Sequence, residues 1–390
     1  MRSVQGKRMA GLLFLFLFFL IPCNAYAGTE TGQGQGQGTE AYLEELYGLT
    51  DFSEADQALE GETALSFTEI VKLLVSGGSF PETGKLLLEE VKTQIFGGME
   101  QNRKLLAEVV MLAVLFSVIK NFTGAFKAAY VGNLCFVMVY SVIAVLLLKS
   151  FLVFRETVET ALTQCIDFMR AFVPTLCISM VFTSDTASSI GFYQLAFVVI
   201  YLVESVFCYM FLPVIQVYIL LEIFVHLLPE EKFSNLTELF RDVIGWGMKI
   251  SGAAVIGLNV VQGLIAPAKD RLGQGILGKA ATAVPGIGNT VNSVIELTFG
   301  TGMVLKNGIG AAGVCVLFLL GLFPMIKVAV LILFCKVAAA VTEPVTDRRI
   351  AGCLKGMAEG GMLYGKLLGY GILLFLLTIT LAVVSSGLAH

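Results

Sequence analysis

Val173-Pro174 and, 39 residues further on, Pro213-Val214-Ile215-Gln216-Val217 bound a stretch that occurs twice in this chain. The second copy runs from Val284-Pro285 to Pro324-Met325-Ile326-Lys327-Val328, with the same 39-residue proline spacing and an offset of 111 residues. In that frame Asp185 falls on Glu296, Gly191 on Gly302, Val203 on Val314 and Phe207 on Phe318. Each copy ends in a long apolar run with a proline near its middle. A repeated, proline-broken apolar unit is a common way of building membrane conduits and transporters. Proline has no N–H to give to a helix interior, so Pro174, Pro213, Pro285 and Pro324 read as the hinges of the repeat.

The composition around these runs sets the class. Of 390 residues, 56% are hydrophobic and 14% charged, well below the roughly 25% charge of a soluble domain. Mean hydropathy is +0.82. The expected fold is an all-α polytopic membrane protein. No basic cluster with interleaved aromatics is present, which argues against nucleic-acid binding. Eight cysteines form no CxxC pair and mostly sit in apolar runs, where a thiol behaves as a small hydrophobe. With His226 and His390 as the only histidines, no zinc set is offered.

Arg2, Lys7 and Arg8 precede an apolar core from Met9 to Ile21, followed by Ala25-Tyr26-Ala27. This order predicts a signal peptide over residues 1–27, cleaved after Ala27. The core is shorter than the ~20 residues of a membrane span. Residues 28–104 carry 14 acids and 5 bases and form an acidic extracytoplasmic region. Its Gly-Gln tract at 32–38 cannot bury a core and reads as a linker. Beyond it, Phe67, Ile70, Val71 and Leu74, then Leu87, Leu88, Val91 and Ile95, have helical spacing. These short amphipathic helices are expected to pack on each other or on the membrane body.

Residues 105–390 form that body. Spans are expected over 105–119, 131–154 and 243–265, with a final span over 367–384. Residues 155–170 are amphipathic and are expected at the membrane interface. The apolar runs 191–228 and 308–342 are too long for one crossing each, which predicts a tight turn or kink near Pro213 and Pro324. The polar segments 229–242 and 344–366 are expected to be loops. Taken together, the repeat copies cover about 131–242 and 243–366, with about eight crossings. With inverted copies, the inside loops 120–130, 266–282 and 344–366 hold 9 bases and 3 acids. The outside loops 155–170 and 229–242 hold 4 bases and 7 acids, in accord with the positive-inside rule.

Ionisable groups in apolar runs are costly and face protein or water. Glu204, Glu222, Lys327 and Lys336 are the clearest, and Lys327 occupies the position equivalent to Gln216. Gln216, Lys327, Glu204 and Glu222 are therefore candidates either for a polar path or for polar contacts that fix helix packing. Lys149, Lys249 and Lys336 suit snorkelling near span ends. No HExxH, GxSxG or phosphate loop occurs, so no catalytic residues, metal ligands or cofactor are expected and the chain does not read as an enzyme.

The layout resembles the stage III sporulation protein AE family of endospore-forming bacteria. The resemblance lies in the signal segment, the modest acidic region, the duplicated Val-Pro (173–174, 284–285) and Pro-x-Ile-x-Val (213–217, 324–328) elements, and the Gly-rich entry into Leu367–Val384. It implies a mother-cell protein of the outer forespore membrane. It also implies membership of a trans-envelope, secretion-like channel complex needed after engulfment. The implied partners are other stage III sporulation proteins, among them an ATPase and ring-forming subunits, together with a forespore stage II protein. A homo-oligomer is also compatible with it. The reading from another class is a self-contained secondary transporter with its site between the repeats.

Overall fold

Twenty-residue apolar segments satisfy their backbone polar groups internally as helices when water is absent, and among the described residues this chain is helical except for the turn at Glu343 and Pro344. The computed structural model describes residues 129–181, 186–227, 234–281, 288–344 and 348–385, with isolated helical positions between 68 and 118. The expected signal peptide, its cleavage after Ala27, most of the acidic region and Pro285 lie outside the described residues. Helix α1 spans Ala129–Val181. Helix α2, Thr186–Leu202, passes through a π-helical segment, Val203–Phe211, into α3, Leu212–Leu227. Helix α4 spans Ser234–Ala281, α5 Gly288–Thr342 and α6 Arg348–Ser385.

Among the described residues, four stretches are long and apolar enough to cross a membrane: Val137–Val181, Ile190–His226, Lys306–Thr342 and Arg349–Val383. Their outward faces stay apolar. On α1, Val137, Met138, Val142, Val145, Leu152 and Val153 are exposed. On the other side of the same helix, Tyr140, Ile143, Leu147, Phe151 and Phe154 are buried. A helix that is apolar all round suits lipid on one side and protein on the other. The chain is thus a helical membrane protein.

Helix α6 touches every other described helix, and glycine spacing explains how. Gly352, Gly356 and Gly360 are four apart and form one stripe. Where a Cβ would stand on them lie His226, Glu222 and Ile219 of α3. Gly361, Gly365 and Gly369 form a second stripe facing Ile332, Val328 and Met325 of α5, at 3.0, 3.4 and 3.8 Å from their Cβ positions. Both contacts run antiparallel. Small residues at this spacing let backbones approach closely where no hydrophobic driving force separates helix from lipid.

Several expectations are corrected here. The chain does not turn at Pro213 or Pro324. Pro174 and Pro324 lie inside continuous helices, and Pro213 follows a wide turn in which Leu212 N–H bonds the Phe207 carbonyl, five residues back. A π turn accommodates the proline ring, and neighbouring helices support the backbone. The proline-broken hairpins are therefore replaced by long helices. At 1.5 Å per residue the 55-residue α5 extends about 80 Å. Residues 348–366 are not a loop but the first half of α6, because their glycines lie at helix-packing spacing. Segment 155–170 is amphipathic as expected, yet continuous with α1. Helix α4 likewise takes up 234–242. The duplicated sequence frame is not reproduced as a helix frame. The α1 end at Val181 and the α2 start at Thr186 map, by the 111-residue offset, inside α5. Helix α5 does stop where proline dictates, just before Pro344, with a last Glu343 N–H to Ala339 O bond of 3.0 Å.

The glycine stripe gives a graded expectation. Gly356→Leu must displace α3 and should lower stability by about 1–3 kcal/mol, seen as a lower melting temperature in detergent. Gly369→Ala, where Met325 stands at 3.8 Å, should leave the melting temperature unchanged.

Candidate functional site

Two groups of polar side chains link helices among the described residues. The first lies along α1 and the segment from Glu204 to Gln216. Arg155 and Arg170 sit on one face of α1, four helical turns apart. Arg155 Nη1 donates to Gln216 Oε1 at 3.3 Å, and its Nε pairs with Glu159 Oε2 at 3.2 Å. Arg170 Nη2 pairs with Glu204 Oε2 at 2.5 Å, and its Nη1 with Asp167 Oδ1 at 3.4 Å. Cys208 lies within electrostatic reach of Glu159 and Glu204. The π-helical segment places Glu204 and Cys208 on this side while Val203, Phe207 and Phe211 turn inward. Phe207 and Phe211 meet edge to face at 5.8 Å between centroids. Gly247 of α4 admits the Phe211 ring, 2.7 Å from its Cβ position.

The second group closes one end of the bundle where α1, α3, α4 and α6 converge. Glu222 of α3 accepts a hydrogen bond from the Thr237 hydroxyl of α4. His226 Nδ1 stands 2.8 Å from the Glu222 carbonyl and 4.0 Å from Glu222 Oε1. That carbonyl fixes the imidazole proton on Nδ1. Arg241 of α4 bridges Glu359 of α6 at 3.3 Å and Glu238 at 3.1 Å. The Tyr218 hydroxyl also donates to Glu359. Tyr140 of α1 donates to the Ile223 carbonyl at 2.6 Å. Gly352 and Gly356 leave the room in which the His226 ring and the Glu222 carboxylate lie against α6.

The four candidate residues thus occupy three places. Gln216 and Glu204 are brought to the α1 face. Glu222 belongs to the end junction. Lys327 is exposed on α5, with its neighbour Val328 buried against α6. Sequence reasoning missed Arg155, Arg170, Arg241 and Glu359 as partners because each was assigned to a loop or interface. The helical spacing of Glu156, Glu159, Thr163, Asp167 and Arg170 carried that signal. It also missed Lys306, which is fully buried on α5. Among the described residues no group of His, Cys, Asp and Glu could hold a metal ion. Among the described residues, Cys165, Cys177, Cys208, Cys315, Cys335 and Cys353 form no disulfide.

A bundle of long apolar helices, with ion pairs along their part-exposed faces, is the build of a helical membrane protein. Residues 65–386 match the family Stage III sporulation protein AE (spore_III_AE), and the chain belongs to that family. It is also 24% identical over 308 residues to the Stage III sporulation protein AE of Bacillus subtilis (strain 168), covering 77% of this chain and 76% of the relative. No solved structure matches the chain.

Exposed ion pairs and buried neutral bonds should contribute differently at the end junction. Arg241 and Glu359 are 40% and 44% exposed. A cycle of Arg241→Met and Glu359→Gln should give a coupling of only about 0.2–1 kcal/mol. Tyr140→Phe removes a buried hydrogen bond and should cost about 1 kcal/mol by itself. Thermal unfolding of the four variants checks both.

Proposed function

We propose that this chain is an integral, multi-pass membrane subunit of a trans-envelope, secretion-like channel complex joining mother cell and forespore after engulfment. The single observation behind this reading is the extent of the family match, which takes in the described helical body from α1 to the end of α6. The four long apolar stretches support residence in a membrane, and we assign it to the outer forespore membrane. The proposed partners are other stage III sporulation proteins, including an ATPase and ring-forming subunits, with a stage II protein on the forespore side. The role is conductive or scaffolding, with no catalysis. The duplicated Val-Pro and Pro-x-Ile-x-Val elements support descent of 131–242 and 243–366 from one unit, even though their helices now end at different positions.

Clean deletion in the source organism, followed by microscopy through starvation, tests this. The expected outcome is normal vegetative growth, completed engulfment, then arrest with late forespore gene expression lost. Normal spores, or a growth defect on a single nutrient, would overturn it and bring the transporter reading forward.

A further inference from the structure

The polar face of α1 lies beside the most apolar part of the bundle. Gly361 of α6 sits between Phe154 of α1 and Ile332 of α5, at 2.9 and 3.0 Å from its Cβ position. At the other end of the same interval, Gly313 of α5 packs against the Phe172 ring of α1. Residues 154–172 of α1 and 332–313 of α5 therefore run antiparallel and in step. Over this interval α5 carries one charged side chain, Lys327, close enough to an end to reach toward the interface. Twenty apolar helical residues extend about 30 Å, the thickness of a bilayer's hydrocarbon core.

At that level α1 exposes Glu156, Glu159, Thr160, Thr163, Asp167 and Arg170. They recur three or four apart and share one face. On either side along the helix the exposed residues are apolar, Leu152 and Val153 before, Ile178 and Val181 after. Charged side chains at hydrocarbon depth turn to protein or water, not to acyl chains. A face that is polar, exposed and level with an apolar core needs such a neighbour.

We infer that this α1 face, with Glu204 and Gln216 beside it, lines a water-filled passage between copies of this chain. Copies arranged about a symmetry axis present the same face to one another and so supply each other's wall. Charge argues for water over dry contact. The face carries the carboxylates of Glu156, Glu159, Asp167 and Glu204 against the guanidiniums of Arg155 and Arg170, an excess of two negative charges per copy. Pressed together without water, those excess carboxylates would repel and stay unsolvated. A second observation points the same way. The Tyr364 hydroxyl, fully buried within electrostatic reach of Arg155 and Glu159, has no hydrogen-bond partner among the described residues. Water entering from this face would satisfy it. An acid-lined passage admits cations and neutral polar solutes and repels anions.

This inference deepens the conduit reading, and its test is independent of sporulation. Trp246 is the chain's single tryptophan, so one tryptophan can be placed at will in a Trp246→Phe background. Thr163 and Met325 are both exposed. They share one level, because their neighbours Leu162 and Met325 itself contact Gly371 and Gly369 of α6. The full chain carrying T163W or M325W is reconstituted in phospholipid vesicles and quenched with aqueous acrylamide or with brominated acyl-chain lipid. Acrylamide should quench position 163 several-fold more than 325, and brominated lipid the reverse. Equal quenching of both by brominated lipid would place the face against acyl chains, and equal quenching of both by acrylamide would place this level outside the membrane. Either result overturns the passage. T160W carries the same test if T163W fails to insert. A sporulation arrest on deletion together with either overturning result would leave the assembly role and remove only the passage.

Discussion

Close backbone approach at the glycines of α6 is the contact on which the rest of the bundle depends. Every other described helix touches α6. In a membrane, burial of apolar side chains gives little net attraction between helices, since lipid is equally apolar. Association then rests on dispersion, which falls off steeply with distance, and on hydrogen bonds across the contact. Removing Cβ atoms at 352, 356 and 360 brings α3 against one side of α6, and removing them at 361, 365 and 369 brings α5 against another. The same absence of Cβ makes space for the Glu222 carboxylate and the His226 ring. A packing device therefore also builds the polar junction.

The prolines act on this architecture in a different way from that expected of breaks. A proline inside a helix removes one donor and presses its ring on the preceding turn. In a soluble domain that often ends the helix. Here flanking helices hold the backbone in place. At Pro213 the strain is taken up by a nine-residue π segment, Val203–Phe211. That widened stretch has consequences for the polar surface, because it turns Glu204 toward Arg170 while Phe207 and Phe211 point into the core.

The polar groups divide by exposure. The end junction, with Glu222 and His226 only 15% and 24% exposed, is mutually satisfied across three helices and acts as a lock between α3, α4 and α6. The α1 face is open and carries more acid than base. Its arginines are shared with Gln216 and Glu204, so the face is one continuous polar surface contributed by two parts of the chain.

The sequence by itself determined the class. Low charge content and apolar runs of span length leave helices in a membrane as the only way to satisfy the backbone. It also determined the family, through duplicated proline elements and a Gly-rich final helix, and it singled out Gln216 and Glu204. The glycine spacing from 352 to 369 was legible as well, but composition made that stretch resemble a loop. What only the tertiary structure decided is where helices end and which face each presents. The duplicated motif shows this: Ile215 is buried and Val217 exposed, whereas in the second copy Val328 is buried and Ile326 only partly so. Similar local sequence yields different faces because rotation about a helix axis costs nothing locally. It is set by the neighbours that pack against the helix, and those are brought together only in the folded bundle.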